Sequence, residues 1–161
     1  MTPNQIKTLK VFHILFASFW TSCVLVITAL SFLAPKFKTG DEVYAFNVIY
    51  HFIDLGLLTP AAVLTFLTGL IYSLFTPWGF FKHRWIVVKW LITLALIIIG
   101  TFYLGPMVEE LLVIADQQRA QALSNASYIT GQKIGLYAGI LNSALLIFAV
   151  FISTFKPWRK K

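Results

Sequence analysis

Four ionisable side chains stand inside long apolar runs of this sequence: His13, His51, Asp54 and Lys89. An ionisable group in hydrocarbon is costly, so each is a candidate site that faces the interior of a helix bundle. His13 lies one to two turns inside the first run, and Lys89 lies about as deep in the third from the same side of the membrane. His83 falls at the surface on that side, and Trp85 precedes Lys89 by one turn. An imidazole between apolar helices suits an axial haem ligand, because the neutral ring offers one nitrogen lone pair to iron while its other nitrogen donates a hydrogen bond. A second axial position is either filled by another side chain or left open. The plainer alternative is that His13 bonds across helices and Lys89 snorkels to the phosphate layer.

A different set occupies the opposite side. Asn47, His51 and Asp54 are spaced by four and three residues, which places them on one face of a regular helix. Glu109 and Glu110 lie close to the same outer surface. Imidazole with carboxylates is a reasonable ligand set for zinc, manganese or iron, and the same groups suit a proton path. A hydrogen-bonded His–Asp pair is the structural alternative. If Asp54 faces the bundle it needs a donor such as His51, Lys133, Asn142 or a hydroxyl.

These residues must be held by membrane-spanning elements. Of 161 residues, 58% are hydrophobic and 12% charged, against about half and about a quarter in soluble domains. The apolar residues form long runs, which predict helices over about 9–34, 45–75, 84–105 and 132–155. The chain is therefore expected to be all-α, a single domain over 1–161 built as a four-transmembrane-helix bundle. Pro60 should kink the second span by removing a backbone donor. Gly105 and Pro106 weaken or end the third, and 107–131 is expected to be a helical extension plus a loop outside the bilayer. The first run is too long for a signal core and is expected to be retained. Cys23 is the single cysteine, so no internal disulfide can form.

The net charge of +7 does not argue for nucleic acid, because basic residues at the ends of apolar runs are the mark of membrane orientation. Four crossings put both termini on one side, with Lys7, Lys10, Lys82, Arg84, Lys156, Arg159, Lys160 and Lys161. The other side has Lys36, Lys38, Arg119 and Lys133 beside Asp41, Glu42, Glu109, Glu110 and Asp116. Both termini are expected to face the cytoplasm. Gly131, Gly135, Gly139 and Ser143 recur every four residues on the last helix. Such a stripe lets backbones approach closely, either within the bundle, the favoured use, or in a homodimer.

The string His13-Ile14-Leu15-Phe16-Ala17-Ser18-Phe19-Trp20 resembles the opening pattern of HemJ-type protoporphyrinogen IX oxidases, with histidine and tryptophan seven residues apart. Trp85 and Lys89 resemble that family's tryptophan and lysine pair, and the layout is similar to that of CopD-like and other predicted integral membrane families. The Leu-Pro-Arg that follows the first tryptophan in the HemJ-type family is absent here. The resemblance implies a b-type haem within the bundle, with His13 as axial ligand and Lys89 near the haem or its substrate. Trp20, within the matching string, and His83, by its position at the membrane surface, are further cofactor-binding candidates, and Lys89 and Trp85 are candidate catalytic residues. It implies a redox or electron-transfer protein of a bacterial inner membrane, with a quinone, a porphyrin, oxygen or a redox protein as partner. A non-haem transporter, ion-coupled protein or assembly subunit using His51 and Asp54 is the alternative, and a scaffold with no small-molecule site a third.

Overall fold

The computed structural model describes residues 1–158, and these form helices and short connections only. Arg159, Lys160 and Lys161, counted above among the basic residues of the termini, lie outside the described residues. Four helices are long and apolar enough to cross a membrane: α1 Pro3–Lys36, α2 Gly40–Phe75, α3 Arg84–Ser124 and α4 Ala126–Phe155. Their outer surface carries large apolar side chains such as Phe19, Phe32, Leu91 and Phe102, the last 78% exposed. Water does not tolerate a continuous apolar surface of this kind, whereas lipid does. The chain is a multi-pass membrane protein whose partner over this surface is the bilayer.

Capping side chains set most helix starts, and they place them before the apolar runs begin. Thr2 accepts from the Gln5 amide while the Gln5 side chain accepts from the Thr2 amide at 2.8 Å, with Pro3 at the first helical position. Thr39 and Glu42 form the same reciprocal cap on α2. Asn125 caps α4 by accepting from the Tyr128 amide at 3.1 Å. Such caps satisfy amides that the first turn leaves without intrahelical partners. The expected loop before the fourth span is accordingly almost absent: α3 runs on through Pro106 and ends in a tight turn over Arg119–Ser124, and α4 starts directly after Asn125.

Pro60 and Pro106, in the interiors of α2 and α3, each follow a widened turn. Over Phe52–Leu58 the backbone is π-helical, and the Thr59 amide donates to the Asp54 carbonyl, five residues back. Over Gly100–Leu104 the Gly105 amide donates to the Gly100 carbonyl in the same manner. Pro60 and Pro106 come next in each case. A proline lacks the amide for the ordinary bond and its ring crowds the carbonyl four residues earlier; the wider turn accommodates both defects without ending the helix.

α1 packs against the second half of α2 and against α4, α4 packs against the first half of α3, and 40–51 of α2 packs against 105–118 of α3. Trp20, Val24, Ala61, Ala62, Leu96 and Leu146 form the main buried cluster. Val43, Leu111, Ala115, Ala122 and Tyr128 form another at the end remote from the termini. The glycine stripe is consumed between these helices. A Cβ on Gly131 would come 2.7 Å from the Leu111 side chain, and one on Gly139 would come 2.7 Å from Thr28 Oγ1. Gly131, Gly135 and Gly139 each face α1, α2 or α3 of their own chain, the favoured use of the stripe.

Candidate functional site

His13 projects from α1 onto α2, where Gly69 leaves room for the ring. A Cβ at Gly69 would stand 3.3 Å from His13 Cε1. Nδ1 of His13 lies 2.9 Å from Thr68 Oγ1. That hydroxyl has a single proton, and it is aimed at the Leu64 and Thr65 carbonyls at 2.7 and 3.0 Å. With two carbonyls competing for that proton, the contact favours the tautomer with its proton on Nδ1 and the lone pair on Nε2. The Thr65 backbone is a further hydrogen-bond partner of the ring. The arrangement is that of a ligand histidine oriented by its other nitrogen.

Lys89 has no ion-pair partner among the described residues. One turn earlier on α3, Trp85 is buried and its Nε1 has no hydrogen-bond partner among the described residues. Its ring packs edge-on to Trp78 at 5.7 Å and lies nearly parallel to His83 at 6.2 Å. His83 is the N-terminal flanking residue of α3, and its carbonyl accepts from the Ile86 and Val87 amides. It is grouped with the two tryptophans at the helix start. Lys156 Nζ lies 4.9 Å from the centre of the Trp78 ring. Trp20 is in the main core two turns above His13, packed with Val24 and with Ala61 and Ala62 of α2.

For a haem iron, the donor chemistry here fits one axial position, His13 Nε2, and one unengaged donor, Trp85 Nε1–H. The neutral imidazole has the lone pair that iron takes, and the Thr68 contact fixes which nitrogen presents it. His51 and Asp54 are not alternatives for that position, since they belong to the other end of the bundle.

There Asn47 and Asp54 line adjoining openings that share Tyr50. Asn47 is buried and donates to Tyr128 Oη at 2.8 Å and to the Val43 carbonyl at 2.8 Å. The π-helical turn over Phe52–Leu58 contains Asp54, whose carbonyl accepts from the Thr59 amide. His51 remains near enough to Asp54 for an electrostatic interaction. Among the described residues no three His, Cys, Asp or Glu side chains converge as a metal group, and Glu109 and Glu110 do not join His51 and Asp54 in one. Instead, Asp54 borders a cavity with Tyr50, Asn142, Gly135 and Gly139.

Thr68 and Gly69 were not legible as site residues. A threonine that bonds back to the carbonyl four residues earlier is ordinary in a membrane helix. The only available signal was the depth of Thr68 on α2, opposite His13. Trp90, beside Lys89, also went unread; its Nε1 donates to Ser73 Oγ at 3.3 Å and its ring meets Phe66 edge-on. Compared with known proteins, the chain matches no protein-family model, no curated protein and no solved structure.

Proposed function

We propose that this protein binds a b-type haem in a bacterial inner membrane through His13 Nε2 and serves a redox or electron-transfer role, with both termini in the cytoplasm. The observation that carries the proposal is the Nδ1–Thr68 contact, which orients the ring and favours Nε2 as the nitrogen offered to iron. The sequence around His13 and Trp20, and the Trp85–Lys89 pair, supports it through the resemblance described above. Haem supplies one-electron chemistry when bound. The protein's own residues orient the ligand nitrogen, exclude water with the Trp20 core, and offer charge and a hydrogen-bond donor nearby. Lys89 and Trp85 Nε1–H are suited to a carboxylate or carbonyl, as carried by a porphyrin or a quinone. The basic residues near the termini support the orientation.

Thr68→Val tests the proposal at its most specific point. The replacement keeps the side-chain shape and removes the acceptor that orients the ring. Haem affinity should fall about 10- to 100-fold, the usual effect of losing a partner that orients a metal ligand. Thr68→Ser should restore it. Haem titration of the purified variants reads both, and an unchanged affinity in Thr68→Val would remove the support that this contact gives.

A further inference from the structure

The half of the bundle remote from the termini has an opening of its own. Val24, Tyr50, Asp54, Leu104, Gly139 and Asn142 are among the residues that line a cavity with about 40 Å³ of water-reachable space. A single water needs roughly 10–15 Å³ on that measure, so the space admits one small ion with part of its hydration and excludes a porphyrin or quinone. A narrower opening shares Tyr50, Met107 and Gly135 with it and continues to Asn47 and Gln132, toward the α3–α4 connection.

Both π-helical turns border this cavity. Asp54 and Leu58 come from the first, Leu104 from the second, and Met107 follows just after. Irregular backbone at membrane depth is tolerated where it lines a cavity, and such turns recur at functional sites. The Asp54 carboxylate and the Asn142 amide make no side-chain hydrogen bond among the described residues. The Asp54 interaction recorded there is through its backbone carbonyl, which accepts from both the amide and the hydroxyl of Thr59. Tyr50 Oη stands over Gly135, 3.5 Å from where a Cβ would be.

We infer that this cavity is a binding site for a small monovalent cation of the sodium class, held by the Asp54 carboxylate with the Asn142 carbonyl oxygen and Tyr50 Oη. The donors are all oxygen, which selects a hard cation over a transition metal. One carboxylate balances one positive charge; a divalent ion would leave a net charge in a low-dielectric site. Helices interrupted at membrane depth serve cations in this way by presenting side-chain and freed carbonyl oxygens together. The site is separate from His13 and needs no haem.

The test uses the full chain in lipid nanodiscs, with radiolabelled sodium ion as probe at constant ionic strength set by choline chloride. Wild-type protein should bind sodium saturably, and Asp54→Asn should abolish that binding. Asn142→Leu should weaken it about tenfold or more, as loss of a ligand costs at least what loss of an orienting partner does. Should Asp54→Asn fail to fold, the Asn142→Leu titration decides. Wild-type protein without saturable sodium binding, or Asn142→Leu with undiminished affinity, overturns the inference. Because the readout is not a chromophore, either result is independent of the haem proposal.

Discussion

Replacing His13 with alanine should abolish the Soret band of protein purified after expression with ample haem, lowering bound haem at least about tenfold. The size of the effect follows from the shortage of substitutes. The other histidines are His51, in the opposite half of the bundle, and His83, whose ring packs against Trp78 and Trp85. Neither is positioned by a contact like that of His13 with Thr68, so neither inherits the ligand role. His51→Ala and His83→Ala should therefore keep the band. Measuring haem per chain in all three variants, with size-exclusion profiles to show that each is folded, separates loss of a ligand from loss of structure. A His13→Ala protein with unaltered haem content would exclude this histidine.

The largest expected effect on stability is at Gly139. A Cβ there would stand 2.7 Å from Thr28 Oγ1, 3.4 Å from Thr28 Cβ and 3.5 Å from Thr28 Cα. Thr28 cannot swing away cheaply, because its hydroxyl bonds the Val24 carbonyl at 2.7 Å and Ser143 Oγ at 3.1 Å. Gly139→Leu must push α1 and α4 apart, at the upper end of the roughly 1–3 kcal/mol that overpacking costs, or beyond it. Gly135→Ala meets Tyr50 Oη at 3.5 Å, ordinary contact, and should be tolerated. Unfolding of both variants by denaturant in mixed micelles checks the contrast. Equal stability of Gly139→Leu and wild type would contradict the α1–α4 packing.

The four spans were legible because hydrocarbon requires long apolar runs, and that requirement leaves a plain mark on composition. Their ends were less so. Helix α4 begins at Ala126 because Asn125 caps it, and a cap in a polar segment does not register in hydropathy. Pro106 gave a misleading signal: proline ends a helix or is absorbed by a wider turn, and the choice depends on packing around Gly100–Leu104. His13 and Lys89 could be matched by counting turns from the membrane surface. Thr68, the partner of His13, could not, because only the inter-helix contact distinguishes it from the other hydroxyls of α2. The glycine stripe was visible, and its use within the bundle was settled by Leu111, Tyr50 and Thr28 beneath it.

The most direct measurement is the absorption spectrum of the purified wild-type protein, oxidised and then reduced with dithionite. A b-type haem on His13 predicts a Soret band that shifts on reduction, with resolved α and β bands in the reduced form. A protein expressed with adequate haem supply that is folded, fails to take up added haem and shows no Soret band in either state would contradict the account.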